Sequence, residues 1–166
     1  MSIPFARMAP PVRRLDPGWR PAILDHLLAL SPDDRYGRFA SSLTDHAIAL
    51  YVTGMDLERD LGFGIPGRTG PGGPLAGFIH LACFGDIAEL GASVLPACRR
   101  QGHARRLFAA ALEEATRQGI REIHLATGHP AARHICRTLG YPLREGSGFP
   151  RVRVLLPRPA AYQERA

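Results

Sequence analysis

Four arginines surround one glycine in the stretch CRRQGHARRLF, residues 98–108. An apolar run precedes the stretch and an amphipathic one follows it, so Gly102 stands at a predicted strand-to-helix turn. The first amides of a helix lack intrahelical acceptors, and the helix dipole favours an anion beside them. Cations there oppose the dipole, so the arginines point to a bound anion. The stretch predicts a cradle for phosphate, with a solvated basic helix as the alternative. The arginines are Arg99, Arg100, Arg105 and Arg106.

A carboxylate lies in the middle of the predicted strand DIAELGASVLP. Strand alternation puts Glu89 on one face with Gly91 and Ser93, whose small side chains leave space beside it. Such space is unusual in a packed face and suits a cleft, so Glu89 is a candidate general base. An edge carboxylate or an ion-pair partner for an arginine is the alternative. His80 and His124, in predicted neighbouring strands, are further candidate bases or core histidines.

The cysteines and histidines do not form a metal-binding pattern. Cys83, Cys98 and Cys136 are odd in number and widely spaced, which indicates neither a disulfide framework nor a metal knuckle and favours a reducing compartment. His129 and His134 fall on different faces of a predicted helix from Cys136, so no metal is expected.

The elements that must position these residues are helical in the first third of the chain. PVRRLD predicts a short strand, and helices follow with Ser31 and either Thr44 or Asp45 as caps. Residues 62–74, GFGIPGRTGPGGP, hold nine Gly or Pro among thirteen residues and predict a flexible loop. The loop contains a formal GxGxxG, which we reject because Pro66 and its neighbours deny the helix that a dinucleotide fingerprint opens.

From residue 75 the pattern is strand, strand, helix, strand, helix, strand, strand. PLAGFIHLACFG and DIAELGASVLP meet at Gly85-Asp86, which predicts an antiparallel hairpin. The clearest helix covers residues 103–118, where one apolar stripe recurs at helical spacing. This order predicts a mixed sheet with helices packed on it, in which the strands flanking the long helix are parallel.

Composition places the chain among ordinary globular proteins. Its 166 residues suit one domain, 1–166, with 45% apolar and 22% charged residues and a net charge of +6. All 21 basic residues counted in the net charge are arginine, which excludes lysine-based covalent chemistry. The excess of arginine suits a polyanionic partner, and coding bias is the alternative explanation for it. The apolar runs are too short for a membrane span and the opening residues lack a signal-peptide core, so we expect a cytoplasmic protein without a membrane partner.

The stretch ASVLPACRRQGHARRLFAAALEEA resembles the acyl-CoA binding motif of the GNAT superfamily of N-acetyltransferases, whose pattern is Q/R-x-x-G-x-G/A. HPAARHICRTLGY follows at the distance of that family's last conserved helix. The resemblance covers residues 75–145, the acyl-CoA binding core, and leaves residues 11–61 as a helical acceptor-side part. Within them LSPDDRYGRF is similar to the branch that includes protein-lysine acetyltransferases.

The resemblance implies an α/β (α+β) fold: a mixed, mostly antiparallel sheet of about six to seven strands with helices on both faces. A splayed parallel pair of strands would form the acyl-CoA cleft, with acetyl-CoA as co-substrate and no metal. The implied cofactor-binding residues are Val94, Leu95, Arg99, Arg100, Gln101, Gly102, His103, Ala104, Arg105 and His129.

The resemblance also implies catalytic roles. Glu89 would be the general base, and the amide near Leu95 would donate to the developing oxyanion. Many relatives carry a tyrosine as general acid where this chain has Cys136, so that acid stays unassigned, and Cys136 is either a packing residue or an acyl-carrying nucleophile. Arg100 stands where many members have glycine.

These observations favour an N-acetyltransferase that moves an acetyl group from acetyl-CoA to a primary amine, on a small molecule or a protein lysine, by direct attack in a ternary complex. A catalytically silent acyl-CoA sensor is the alternative. Nucleic acid is not expected as a partner, because aromatic residues are 7% and do not interleave with basic ones. The acceptor, acyl groups other than acetyl and a homodimer stay open.

Overall fold

The computed structural model describes residues 9–67 and 73–159. Seven strands form one sheet in the order β1-β2-β3-β4-β5-β7-β6, in which only β4 and β5 are parallel. The strands are β1 Arg13–Arg14, β2 Leu61–Pro66, β3 Leu75–Phe84, β4 Ile87–Val94, β5 Glu122–Leu125, β6 Leu143–Glu145 and β7 Val152–Leu155. The helices are α1 Arg20–Leu28, α2 Pro32–Phe39, α3 Asp45–Gly54, α4 His103–Arg117 and α5 Pro130–Thr138. The predicted mixed, mostly antiparallel sheet is confirmed.

The helical first third is confirmed together with its caps. The Ser31 hydroxyl accepts a hydrogen bond from the amide of Asp34 at 3.1 Å, and the Thr44 hydroxyl accepts one from the amide of Ala47 at 3.2 Å. Both bonds satisfy amides that a helix start otherwise leaves without an acceptor. None of the described helices is both long and apolar enough to cross a membrane.

The predicted loop at 62–74 is wrong over its first part, because Leu61–Pro66 form β2 between β1 and β3. The glycines of this segment serve close packing: a Cβ on Gly64 would lie 3.0 Å from Leu75 Cδ1 and 3.1 Å from Leu15 Cδ1. The rejected GxGxxG therefore begins in a buried strand. Residues 68–72 of the predicted loop lie outside the described residues.

Two apolar cores cover the two faces of the sheet. On one face α4 packs Leu107, Ala111 and Leu112 against β2, β3 and the parallel pair. On the other face α1 and α3 enclose Phe78 and its neighbours. The sheet is thereby packed on both faces.

Substituting Gly77 tests how closely α4 lies on β3. A Cβ there would meet Leu107 Cδ1 at 2.8 Å and Val94 Cγ2 at 3.4 Å. We expect Gly77→Ala to lower the free energy of unfolding by about 1–3 kcal/mol through overpacking. Gly54→Ala is the control, since a Cβ on Gly54 meets nothing within 4 Å. Equal urea midpoints for both variants would contradict this packing.

Candidate functional site

A cleft opens where the parallel strands separate. β4 and β5 pair only between Ile87–Leu90 and Glu122–Leu125, so no strand of the described residues pairs with the rest of β4 on that side. A cavity of about 400 Å³ occupies this space, with walls from the second half of β4, the residues after β5, and helices α2, α4 and α5. Thr127 donates a hydrogen bond to the carbonyl of Gly37 at 3.0 Å and closes the cleft on the α2 side. The predicted splayed pair is confirmed.

The second half of β4 turns backbone groups toward the cleft. The amide of Leu95 donates to the carbonyl of Ala76 at 2.9 Å, which places Leu95 in a hydrogen-bonded pair with β3. Because backbone groups alternate along an antiparallel strand, the amides and carbonyls of Ala92 and Val94 point away from β3 into the cleft. The Leu95 amide itself is therefore engaged with β3, and the amides near it that face the cleft belong to Val94 and Ala92.

Helix α4 begins at the mouth of the cleft without a side-chain cap. Gly102 is its N-cap residue with φ +76°, and the first bond of the helix runs from the amide of Arg106 to the Gly102 carbonyl at 3.1 Å. The amides of His103, Ala104 and Arg105 thus have no intrahelical acceptor. A Cβ on Gly102 would meet nothing within 4 Å, so open space lies beside these amides. The turn has the geometry of an anion site.

Most of the arginines around this turn form hydrogen bonds or ion pairs with other parts of the protein. Arg99 pairs with Asp34 of α2 at 2.5 Å and donates from Nε to the Val94 carbonyl at 3.2 Å. Arg105 donates to the Thr138 hydroxyl at 2.7 Å, and Arg106 donates to the carbonyl of residue 10 at 2.6 Å. Protein contacts therefore account for three of the four arginines, and the case for an anion rests on the amides. Among these arginines Arg99 lines the cavity.

Arg100 adopts a left-handed backbone conformation, with φ +59°. This conformation explains why glycine is common at that position, since a Cβ disfavours it. Arg100 and Gln101 are exposed in the turn.

Two substitutions that remove the same charge test this strain. We expect Arg100→Gly to exceed Arg100→Ala in free energy of unfolding by roughly 0.5–1 kcal/mol, because only glycine removes the Cβ. Urea unfolding of both variants measures the difference. An alanine variant as stable as the glycine variant would show that the turn is unstrained.

His129 and His103 occupy different environments. His129 is the N-cap residue of α5: its Nδ1 accepts from the amide of Ala131 at 3.2 Å, and the residue lines the cavity. His103 opens α4 with a buried ring, and burial, with a smaller contribution from Arg106, lowers the pKa of that ring. His103 therefore offers its amide to the cleft, whereas His129 offers a side chain.

Glu89 is exposed on β4, level with Ala82 of β3 and His124 of β5. It shares the sheet face of Gly91, as the alternation predicts, although it does not line the cavity. The space over Gly91 and Ser93, which the sequence suggested would remain open beside Glu89, is filled by Arg38 and His26 instead.

His26 lies buried between two chain segments. Its Nδ1 lies 2.6 Å from the carbonyl of Leu75, so Nδ1 carries the proton and donates. Its Nε2 then accepts from the hydroxyl of Ser93 at 2.8 Å. Burial lowers the pKa of His26 to about 4, and the nearby charge of Arg38 contributes in the same direction.

Arg38 is the least expected residue of the site. It is only 6% exposed, lines the cavity, and lies with its Cζ 4.8 Å from the centre of the Phe78 ring and 5.2 Å from that of Phe39. Its Nη1 makes long hydrogen bonds to Ser93 Oγ at 3.4 Å and the Phe78 carbonyl at 3.5 Å. Its Nε and Nη2 are buried and have no hydrogen-bond partner among the described residues.

A chain of three polar side chains lies beside Arg38. The Tyr51 hydroxyl donates to His80 Nδ1 at 2.8 Å, and His80 Nε2 donates to Asp60 at 2.9 Å. Burial lowers the pKa of His80 although the hydrogen bond to Asp60 opposes this. The chain lines a second cavity of about 610 Å³. Sequence reasoning missed it because the strand after Asp60 was assigned to a loop.

Cys136 is fully buried in the core on the α4 side. Burial raises the pKa of its thiol to about 11, so it stays protonated, and it does not line the cleft. The packing role is therefore confirmed over that of an acyl-carrying nucleophile. Within the described residues no three His, Cys, Asp or Glu side chains lie close enough to hold a metal ion.

Comparison with known families finds a match over the part of the chain that forms most of this cleft, though not α2. The model of the acetyltransferase (GNAT) family matches residues 68–141, from the segment before β3 to the residues just after α5. No curated protein sequence matches the chain significantly.

Solved structures share the fold at low sequence identity. The GNAT domain of PAT from S. lividans has a TM-score of 0.65 at 18% identity, covering 86% of this chain and 87% of that one. A phosphinothricin acetyltransferase from Sinorhizobium meliloti in complex with AcCoA has a TM-score of 0.62 at 16% identity, covering 89% and 86%. A ribosomal-protein-alanine N-acetyltransferase from Brucella melitensis has a TM-score of 0.60 at 16% identity, covering 87% and 96%.

Proposed function

We propose that this chain, which has the fold of the GNAT acetyltransferases and their family pattern over residues 68–141, transfers an acetyl group from acetyl-CoA to a primary amine. One observation carries the proposal: the uncapped start of α4 opens onto free space at the mouth of the cleft between β4 and β5. Amides without acceptors and a helix dipole suit the pyrophosphate of coenzyme A.

The cleft fits an acyl-CoA along its length. The amides from Gln101 to Arg105 would hold the pyrophosphate, with Arg99 and Arg100 beside it. The backbone of Val94 and the ring of His129 would contact the pantetheine. This arrangement would place the thioester carbonyl near the Ala92 amide, which supplies a donor for the oxyanion.

Acyl transfer needs an amine that has lost a proton. We assign Glu89 the role of general base, directly or through a water molecule, because it stands on the sheet face that α1 and α2 border. The amine nitrogen would attack the thioester carbonyl in a ternary complex, the carbon–sulfur bond would break, and coenzyme A would leave as its thiolate. No protein acid is assigned, because Cys136 lies in the core.

The acceptor class stays broad in this proposal. Relatives of this fold include an enzyme named for phosphinothricin and one named for ribosomal-protein alanine, so the fold accommodates small and protein amines. A net charge of +6 makes the chain a poor host for polycationic acceptors.

The two ends of α4 provide a matched test of the phosphate cradle. Gly102 and Gly119 both have positive φ, +76° and +82°, and a Cβ on either meets nothing within 4 Å. We expect Gly102→Ala and Gly119→Ala to lose a similar free energy of unfolding, about 1 kcal/mol. Only Gly102→Ala should weaken acetyl-CoA binding, by about tenfold or more, because its methyl group occupies the approach to the amides.

Thermal unfolding with acetyl-CoA gives the readout, with ATP as the comparison ligand. Ligand at about 100 times its dissociation constant stabilises the native state by roughly 2.7 kcal/mol. Stabilisation by acetyl-CoA, together with thiol release in the presence of amines, supports the proposal. Binding without thiol release across an amine panel would favour the silent sensor instead. Absence of any shift at millimolar acetyl-CoA would overturn the proposal.

A further inference from the structure

Arg38 is a buried cation that forms no ion pair with the residues that the structure describes. No Asp or Glu of the described residues lies within ion-pair distance of its guanidinium, although Asp33 and Asp34 stand on the same helix. Burial lowers the pKa of Arg38, and Tyr51 offsets this in part, yet a guanidinium remains charged in proteins. A buried charge is normally paired, so the missing partner requires an explanation.

The position of the guanidinium makes a purely structural role a poor explanation. The Phe39 and Phe78 rings stabilise a cation, but an aromatic contact returns less than the desolvation of an unpaired charge costs. Nε and Nη2 have no partners, and these atoms form the edge that binds a carboxylate through two parallel hydrogen bonds. The Tyr51 hydroxyl lies near enough to the guanidinium to raise its pKa, but no acceptor of the described residues lies within hydrogen-bond distance of Nε or Nη2.

The bare Cα of Gly91 makes room for this guanidinium in the wall of the cleft. A Cβ on Gly91 would lie 3.2 Å from Cζ and 3.3 Å from Nη2 of Arg38, nearer to Cζ than to Nε at 3.6 Å. The guanidinium thus lies face-on over Gly91. Gly91 directly precedes Ala92 on β4, and the Ala92 amide faces the proposed thioester. The guanidinium therefore lies next to the place where the thioester would bind.

We infer that Arg38 binds a carboxylate of the substrate beside the reacting carbonyl, so that this protein selects a carboxylate-bearing substrate. The inference rests on the proposed function and deepens it. The carboxylate has two sources: the far end of a dicarboxylic acyl group, as in succinyl-CoA, or an amine acceptor of the amino-acid type. Phosphate has its own place at the start of α4.

Paired substrates distinguish the two sources. In the donor arm, succinyl-CoA is compared with butyryl-CoA, which has the same acyl chain length without the carboxylate. In the acceptor arm, amino acids are compared with the amines that lack their carboxylates, beginning with phenylalanine and phenethylamine and acetyl-CoA as donor. Both arms measure binding by calorimetry, on the free protein for donors and on the coenzyme A complex for acceptors, and kcat/KM by thiol release.

We expect the wild type to prefer the carboxylate member of one pair by about tenfold or more, as a hydrogen-bonded charge pair requires. Arg38→Met, which keeps an unbranched apolar stem and removes the charged guanidinium, should bring that ratio to about one. Arg38→Lys should restore part of it. Arg117→Met, at an exposed position of α4, is the control for the loss of one charge.

The apo protein supplies a second readout. Removing an unpaired buried charge should leave the melting temperature of Arg38→Met equal to or above that of the wild type. A lower melting temperature, together with no carboxylate preference in either arm, would show that Arg38 only packs. Acetyl transfer without any carboxylate preference overturns this inference alone, whereas absence of acetyl-CoA binding overturns the proposed function as well.

Discussion

Glu89→Gln should lower kcat by about 100- to 10,000-fold at neutral pH, the contribution typical of a positioned general base. Glutamine retains the shape of the side chain and cannot accept the proton of the attacking amine. Because Glu89 lies outside the cavity that we assign to acyl-CoA, the dissociation constant of acetyl-CoA should stay within about twofold of wild type. Steady-state kinetics by thiol release and calorimetric titration measure the two quantities.

Glu113→Gln is the matched control for this experiment, because Glu113 is exposed on α4 and its replacement removes the same charge. A Glu89→Gln enzyme with undiminished kcat on every acceptor would remove Glu89 as the base. The Tyr51–His80–Asp60 chain would then be the next candidate, and Tyr51→Phe would test it, since this change removes only the hydroxyl bonded to His80.

Acidification should destabilise the protein through His26. The pKa of this ring is about 4 in the folded protein against 6.5 for an unperturbed histidine. Between these values the unfolded chain binds a proton that the folded one does not, so the free energy of unfolding falls as the pH falls. We expect a loss of about 3 kcal/mol from pH about 6.5 to about 4, with no further contribution from this residue below that range.

The test compares urea unfolding at several pH values in the wild type and in His26→Leu. The variant should be less stable at pH 7, because Leu75 and Ser93 lose their partner, and its stability should depend less steeply on pH. The pKa values of His80 and His103 are also lowered, so these two residues contribute to the pH dependence of both proteins. The readout for His26 is therefore the difference between the two slopes of stability against pH. His46→Ala, at an exposed position of α3, should keep the wild-type slope; parallel slopes for wild type and His26→Leu would contradict the assignment.

Local sequence pattern was sufficient for the turn at Gly102 and its flanking elements. The apolar stripe from Leu107 to Ala115 predicts α4, and Gly102 before it predicts a helix start with free amides, because both signals are contained within a few turns of chain. Glu89 and Gly91 were likewise placed on one strand face by simple alternation.

The same local reading misassigned Leu61–Pro66. Glycine and proline are typical of turns, yet here the small side chains allow β2 to pack closely against Leu15 and Leu75. The residues that pack against such a segment in the folded protein decide whether it forms a flexible loop or a tightly packed strand. Local composition carries no information about those residues.

The sequence by itself thus determined the order of the elements from residue 75 onward, the parallel pair and the uncapped start of α4, because these depend on short-range patterns in the chain. Only the tertiary structure decided which side chains meet: Arg38 reaches Ser93, 55 positions away, and His80 reaches Asp60, 20 positions away. It also assigned the Leu95 amide to Ala76 and filled the space over Gly91. The physical reason is that such contacts form when layers pack across the sheet, and no periodic signal in the chain records which residues face one another there.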